Sequence, residues 1–372
     1  MSKFQFHSNT SQTVGVELEL GIVDTDSMAL SNRSSELLAT LPDDISESCK
    51  HELMQSCVEV ISGVCTTVSE ARVDLSGKLR SLQHSADNLG LGLWWGATHP
   101  FSHWQDQVVT DDERYRGLVR LLQEMARRLI TFGLHVHVGV DSGDKAVMIC
   151  DRIMQHLPLL LALSASSPYW EDRDTGLHSH RSKVMEGLPT AGLPTLMRNW
   201  SEYVWLVNHM EETGFINTIR EIWWDVRPHH NFGTVEVRMC DMPGNIDHVC
   251  ALAALIQCLV KYLSDRIDEG TYQFDCHPMM VRQNKWRAAR YGVAATLVDT
   301  FDYSEKTVAE IVERLLGKLR GVAQDLNCES ELLMVREIAG RIDWADRQRL
   351  ILQKAGTREE IVKQLIQQSR IQ

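Results

Sequence analysis

The sequence lacks the segments that mark exported and membrane-spanning proteins. Its first twenty residues, "MSKFQFHSNTSQTVGVELEL", contain no apolar core of signal-peptide length and no small-residue cleavage site. The longest apolar runs, such as "LPLLLALSASS" and "VCALAALIQCLV", are shorter than a bilayer span requires. We therefore expect a soluble protein located in the cytoplasm.

Paired cysteines are also missing. The chain has nine cysteines, an odd number, and none of them forms a C-x-x-C pair or a zinc-like cluster. In a chain without an export signal, such cysteines are expected to be reduced and buried as small apolar side chains.

Positive charge is scarce, since 50 acidic residues outnumber 38 basic ones and the formal net charge is −12. Nucleic acid and anionic membranes need a basic surface, so we expect neither as a partner. The phosphate-binding pattern G-x-x-x-x-G-K-[ST] and the nucleophile pattern G-x-S-x-G are both absent. A P-loop and serine hydrolase chemistry are therefore excluded.

Short segments of alternating polarity dominate the first part of the chain. No linker or repeat divides the sequence, so we expect a single domain over residues 1–372, with motifs in about 14–292 and a helical part in about 303–372. Alternation, rather than continuous apolar strands, predicts an α+β fold with a largely antiparallel sheet. One face of this sheet is expected to pack on helices and the other to form the floor of a cleft.

Charged side chains occupy one face of each of four predicted strands. Because side chains alternate with period two, residues two apart point the same way. The pairs are Glu17 with Glu19, Cys57 with Glu59, His135 with His137, and Glu236 with Arg238. Glu52 is out of phase with Glu59 and is expected at the start of its strand or across a bulge. Any one pair is ordinarily a solvated face, but four together predict a common site.

Gathered carboxylates repel one another unless a cation lies between them. Glutamates with histidine and without cysteine suit Mg²⁺ or Mn²⁺, and several acids on one floor suggest more than one ion. The usual reason to hold several Mg²⁺ ions is to bind a nucleoside triphosphate.

Several arginines lie beside aromatic residues, proline or glycine instead of on charged helical faces. Guanidinium groups bind carboxylate and phosphate oxygens through a bidentate fork, so we consider these arginines substrate- or phosphate-binding. They are Arg114, Arg181, Arg227, Arg238 and Arg290.

These motifs together resemble the type-two glutamate–cysteine ligase family, in its bacterial carboxylate–amine ligase branch. The matching stretches include "GVELEL", "HELMQSCVEV", "HVHVGV", "DTGLHSHRS", "WWDVRPHHNFGTVEVRMCD" and "KWRAARYG", in the family's order. The resemblance implies a glutamine-synthetase-like fold whose curved sheet forms the active-site cleft. It also implies amide-bond formation with ATP and Mg²⁺, through an acyl phosphate, between glutamate and cysteine.

The resemblance also assigns roles to residues. Its metal-binding positions fall on Glu17, Glu19, Glu52, Glu59 and Glu236, with His137 the better histidine and His135 the alternative. Arg238 would contact the transferring phosphoryl group, next to Glu236. Glu171, Asp172 and His180 depart from the family pattern beside Arg181, which bears on the choice of substrate.

Two other functions fit part of this pattern. One is a metal-dependent hydrolase built on His135 and His137, although five acids against one H-x-H disfavour it. The other is a non-catalytic nucleotide-binding protein on the same fold. The C-terminal helices would either cap the cleft or form the interface of a homodimer, since apolar stripes serve both.

Overall fold

An antiparallel sheet forms the centre of the protein. The structure, a computed structural model, describes residues 4–271, 277–299 and 302–372. The strands are β1 (Val14–Asp24), β2 (Cys49–His51), β3 (Cys57–Ile61), β4 (Leu91–Trp94), β5 (Gly133–Gly139), β6 (Tyr169–Trp170), β7 (Arg173–Asp174), β8 (Val226–His229), β9 (Thr234–Asp241), β10 (Thr296–Val298) and β11 (Glu305–Thr307). The main sheet has the order β2-β3-β1-β5-β9-β8, and β4 also pairs with β1. Two small hairpins, β6-β7 and β10-β11, lie outside it.

Helices surround this sheet. They are α1 (Ser34–Ala39), α2 (Asp43–Ser46), α3 (Val68–Asn88), α4 (Glu113–Leu122), α5 (Glu124–Arg127), α6 (Gly143–Ile153), α7 (Leu157–Ser164), α8 (Arg181–Met185), α9 (Trp200–Glu212), α10 (Ile246–Asp268), α11 (Pro278–Tyr291), α12 (Val308–Asp325), α13 (Glu329–Ala339), α14 (Trp344–Ala355) and α15 (Arg358–Ser369). Single 3₁₀ turns occur at Trp104–Asp106, Met154–His156, Ile219–Glu221 and Gly292–Ala294.

The two faces of the sheet differ as the alternation predicts. In β1, Val16, Leu18 and Leu20 are buried, whereas Glu17 and Glu19 are partly exposed on the opposite face. The apolar face packs against α3, α7 and α10. Every pairing in the main sheet is antiparallel, so the predicted α+β class is confirmed.

Two helical stretches, Gly143–Ser164 and Ile246–Asp268, have the length and apolar composition to cross a membrane. The expectation that the apolar runs are too short therefore does not hold for the helices that contain them. In each stretch, 72% of the apolar window is buried inside the protein. Their apolar character is thus used in packing, with α7 and α10 in the same core as β1.

The stretch "DERYRGLVRLLQEMARRL" has the apolar periodicity of one continuous helix, but it forms two helices, α4 and α5. The break lies at Gln123, whose φ of 52° is left-handed. A left-handed residue ends the helical hydrogen-bond pattern, so the chain turns there. The hydrophobic periodicity continues across the break, which is why the sequence did not reveal it.

The C-terminal helices buttress the core instead of capping the cleft. α12 and α13 pack on α10, and α15 packs on β4. Asp343 ties α14 to the body of the protein. Its carboxylate accepts the N–H of Asp346 (2.9 Å) as the helix N-cap, lies 2.7 Å from His178 Nδ1, and accepts the N–H of Val293 (3.2 Å).

We expect Asp343→Ala to lower the free energy of unfolding by about 2 to 4 kcal/mol, because it removes a helix cap and leaves buried donors without a partner. Urea denaturation measures this change. Asp112→Ala is the matched control, since Asp112 caps α4 from an exposed position and should cost only about 1 kcal/mol. Equal losses in the two variants would show that the contacts of Asp343 beyond its cap contribute nothing.

Candidate active site

The floor of the cleft is made by residues from four adjacent strands. Three cross-strand pairs lie side by side: Glu59 opposite Glu19, Glu17 opposite His135, and His137 opposite Glu236. Directly opposed residues of antiparallel strands have their side chains in contact range. Period two and strand pairing therefore bring together side chains that are far apart in the sequence.

These residues line a cleft of about 330 Å³. The predicted site residues that line it are Glu17, Glu19, Glu52, Glu59, Arg114, His135, His137, Arg181, Arg227, Glu236 and Arg238. Glu52 lies in the loop between β2 and β3, directly after β2 ends and five residues before β3 begins, and not at the start of the Glu59 strand. Arg290 is the exception. It is absent from the lining, and its guanidinium lies over the ring of Tyr291, 4.8 Å from the centroid. Arg290 lies near the end of α11, outside this lining, and its contact with substrate or phosphate stays a prediction.

Glu236 is held by two arginines. Arg227 Nε donates to its Oε2 at 2.8 Å, and Arg238 Nη1 donates to its Oε1. Burial alone would raise the pKa of Glu236, but the charges of Arg227 and Arg238 outweigh it and hold that pKa well below the ordinary value. Glu236 is therefore ionised although its side chain is 1% exposed.

Glu17 is held by both histidines. His135 Nδ1 lies 3.2 Å from Glu17 Oε2, and His137 Nε2 lies 3.2 Å from Glu17 Oε1. Burial would raise the pKa of Glu17, yet hydrogen bonds from His135 and His137 hold it far below its usual range. The pKa of His137 is lowered by burial but raised overall by Glu236 and Glu17.

The other end of the floor has no such compensation. Burial and the charge of Glu19 raise the pKa of Glu52 to about 7. Burial and the charges of Glu52, Glu17 and Glu19 raise the pKa of Glu59 well above its ordinary value. A cation placed here would restore ionisation, so the donor chemistry fits a hard divalent ion.

Two groups of ligand atoms on this floor could hold such ions. One comprises Glu17, Glu59 and His135, the other Glu17, His137 and Glu236, and within each group the atoms lie within 4.8 Å of one another. The two groups share Glu17. A third group in the described residues, His178, Asp343 and Asp346, lies outside the cleft lining and is the structural link of α14.

His137 has the orientation of a metal ligand. Its Nδ1 lies 3.0 Å from the Thr234 hydroxyl, which orients the ring. Its Nε2 is buried and faces the carboxylates of Glu17 and Glu236 at 3.2 and 3.7 Å. One ring nitrogen held by a hydrogen bond while the other points at the remaining members of its ligand group is the usual arrangement of a ligating histidine.

Two of the predicted arginines already use their donors inside the protein. Besides Glu236, Arg227 donates through Nη1 to the carbonyl of Ile222 (2.6 Å). Arg181 is 3% exposed, and its Nη1 and Nη2 donate to the carbonyls of Met239 and Arg238, each at 3.3 Å.

Sequence reasoning missed much of the rim. The additional lining residues with polar or aromatic side chains include Lys50, His51, Tyr115, Arg220, Trp223, His229 and Phe232. Phe232 is 58% exposed and stacks on His229, with centroids 4.2 Å apart and an interplanar angle of 15°. Arg220 is exposed and makes no ion pair within the described ranges. Lys50, His51 and His229 lie in short edge strands and Tyr115 lies in α4, whereas the other three lie in a 3₁₀ turn, a loop and a turn, where no periodicity signals a direction.

Comparison with known proteins assigns this chain to a protein family. Residues 13–368 match glutamate–cysteine ligase family 2 (GCS2). A Frankia casuarinae protein provisionally named glutamate–cysteine ligase 2-1 is 45% identical over 331 residues, which cover 88% of this chain and 87% of the relative.

Solved structures share the fold at low identity. A glutamate–cysteine ligase from Francisella tularensis in complex with AMP superposes with a TM-score of 0.70 and 15% identity, covering 98% of this chain and 90% of that one. A bifunctional glutathione synthetase from Pasteurella multocida gives 0.71 and 15%, covering 96% of this chain. The present chain spans 52% of that longer protein.

The raised pKa of Glu52 predicts a pH-dependent stability. A carboxyl whose pKa rises on folding stabilises the protein below its unfolded pKa, and this contribution is lost as pH rises. Without divalent ions, we expect the free energy of unfolding to fall by on the order of 2 to 3 kcal/mol between about pH 4.5 and 7 owing to this residue.

Urea denaturation at several pH values, in EDTA, measures this loss. Glu52→Gln should flatten the pH dependence, whereas the exposed control Glu47→Gln should not. Mg²⁺ should restore the stability of the wild type at pH 7. An unchanged pH slope in Glu52→Gln would contradict the assignment.

Proposed function

The chain belongs to glutamate–cysteine ligase family 2 and is a carboxylate–amine ligase of that type, and we propose that it joins glutamate to cysteine using ATP and Mg²⁺. The product would be γ-glutamylcysteine. One observation carries the proposal: two ligand groups that share Glu17 lie on the floor of a cleft whose walls carry arginines.

Glu17, Glu59 and His135 would hold one divalent ion, and Glu17, His137 and Glu236 the other, with Glu19 and Glu52 adjacent. Mg²⁺ is the expected ion, and Mn²⁺ suits the same donors. When bound, the ions neutralise phosphate and carboxylate oxygens that would otherwise repel one another and the floor.

In the proposed reaction, an oxygen of the substrate carboxylate attacks the γ-phosphorus of ATP, giving an acyl phosphate and ADP. The amine then attacks the activated carbonyl and phosphate leaves. Arg238, beside Glu236, would contact the migrating phosphoryl group, and Arg114 and Arg220 at the rim offer further cations. Reactions of this type need positioning and charge neutralisation more than a protein nucleophile.

A covalent route through Cys57 is disfavoured. Cys57 lines the cleft, but burial and the charges of Glu19, Glu52 and Glu59 raise its pKa well above the ordinary value. A thiol that stays protonated is a poor nucleophile. The carboxylate of the substrate is therefore the attacking group in our scheme.

The aromatic part of the rim suits a nucleobase. Phe232 and His229 form a stacked pair beside His137, with ring centroids 5.6 and 5.5 Å from it, next to one of the ligand groups. A nucleotide whose base lies on the exposed face of Phe232 could place its phosphates over that group. The AMP named with the Francisella tularensis structure supports a nucleotide site in this fold.

We further propose that the enzyme acts in the cytoplasm on small amino-acid substrates, in keeping with its net charge of −12 and with the free thiols of the cysteines in the described part of the chain. A homodimer remains our proposal for the oligomeric state. Within the described ranges, all residues that line the cleft lie at or before Arg238, so the C-terminal helices do not line it and their outer faces are available for a subunit interface.

ADP release tests the function. The assay measures ADP release with a panel of amino-acid pairs. We expect release to require Mg²⁺ and to rise well above the ATP-only background when glutamate and cysteine are present together. Glu17→Gln should lower the rate at least about 100-fold, because it removes the carboxylate common to both ligand groups. Glu47→Gln is the exposed control. No stimulation by any pair would reject the ligase assignment for these substrates, and ATP-independent hydrolysis would favour a hydrolase.

The nucleotide orientation has its own test. Phe232→Ala should raise the KM for ATP about tenfold and leave the KM for glutamate unchanged, since stacking contributes about 1 to 3 kcal/mol per base. Phe215→Ala is the control, a phenylalanine that is also exposed (72%) but lies outside the cleft lining. A larger effect on the KM for glutamate would place the amino acid, not the base, at Phe232.

A further inference from the structure

A β-bulge in β9 lies at the residue that faces the proposed phosphoryl group. Leu134 pairs with Cys240 and Val136 pairs with Val237, so both Arg238 and Met239 lie opposite His135 alone. A bulge changes the direction of a side chain and leaves main-chain groups without hydrogen-bond partners in the adjacent strand. Arg238 is on the cleft face, as its spacing of two from Glu236 requires, and the bulge next to it returns Cys240 to the core beside Leu134.

The main-chain groups of this bulge form hydrogen bonds with residues outside the β5–β9 pair. The carbonyls of Arg238 and Met239 accept hydrogen bonds from Arg181 Nη2 and Nη1, and the N–H of Arg238 donates to the carbonyl of Asp225 (2.8 Å). Buried main-chain groups without partners are strongly disfavoured. Arg181 thus supplies donors for the two carbonyls of the bulge.

Gly133 makes room for this arginine. A Cβ on Gly133 would lie 2.1 Å from Arg181 Nη2 and 2.6 Å from its Cζ, so any larger residue must displace the guanidinium. The N–H of Gly133 also donates to Glu19 Oε2 (2.5 Å), so Gly133 contacts both Arg181 and a floor carboxylate.

The backbone of Arg181 is fixed as firmly as its side chain. Its N–H donates to the hydroxyl of Ser167 (3.1 Å). Asp241, at the end of β9, accepts hydrogen bonds from the hydroxyls of Ser167 (2.7 Å) and Ser179 (2.8 Å) and from the N–H of Ser166 (3.0 Å). Both ends of Arg181 are therefore tied to β9.

We propose that Arg181 is a positioning residue, which holds the β9 bulge and so directs Arg238 towards Glu236 and the cleft. This role differs from the substrate or phosphate contact expected from the sequence. It rests on the proposed function for its effect on turnover, whereas its effect on the bulge is independent of that function.

Gly133→Ala is the sharpest test, because the new methyl group displaces the Arg181 guanidinium although no charged residue is substituted. Hydrogen–deuterium exchange of the peptide covering residues 237–241 should accelerate at least about tenfold. Gly77→Ala in α3 is the matched control, since its Cβ would meet nothing within 4 Å and β9 exchange should not change. Unchanged exchange in Gly133→Ala, in a protein that folds, overturns the proposal.

Turnover gives the second readout. Arg181→Lys, which keeps the charge but loses the fork, should lower the kcat for ADP release about 10- to 100-fold with KM values within about twofold. Gly133→Ala added to Arg181→Ala should cause no further loss, because both act through one contact. A normal kcat with a raised KM for one substrate would make Arg181 a substrate ligand and overturn the proposal.

The two proposals fail in different ways. If the wild type releases no ADP with any amino-acid pair, the ligase assignment fails, yet the exchange experiment still decides the role of Arg181. If ADP release is normal and exchange in Gly133→Ala matches that in Gly77→Ala, only the positioning role is lost.

Discussion

Repulsion between carboxylates on one face of a sheet is the constraint on which this protein depends. Strand pairing places Glu17, Glu19 and Glu59 next to one another, and Glu52 approaches from a turn. At the Glu236 end, arginines and histidines balance the charge, and the carboxylates there are ionised. At the Glu52 end, nearby cations such as Arg114 and Lys50 do not offset burial and mutual repulsion, and the pKa values of Glu52 and Glu59 are raised. The raised pKa values of Glu52 and Glu59 are those expected of carboxylates that bind a cation.

Much of the floor could be predicted from the sequence because its determinants are local. Period two is a property of a single strand, so Glu17 with Glu19 and Glu236 with Arg238 were assigned to one face without knowledge of the pairing. The phase of Glu52 correctly excluded it from the regular Glu59 strand, although it lies in the loop after β2 and not at the start of that strand. Family resemblance added the roles of these residues, and those roles remain proposals.

The rest depends on tertiary packing. Phe232 and Arg220 reach the rim from loops whose paths are set by neighbouring elements. The β9 bulge leaves no mark in the alternation before it, and Arg181 looks like a substrate arginine until its carbonyl partners are known. For Arg290, proximity to aromatic residues in the sequence gave no information on the orientation of α11.

The common carboxylate of the two ligand groups has a further consequence. An ion bound by Glu17 on one side withdraws electron density from that carboxylate and fixes its rotamer for the other side. Occupation of the two positions is then thermodynamically linked, so that filling one alters the affinity of its neighbour. A cell in which free magnesium fluctuates would meet an enzyme whose activity follows that concentration more steeply, or more shallowly, than a single independent site allows.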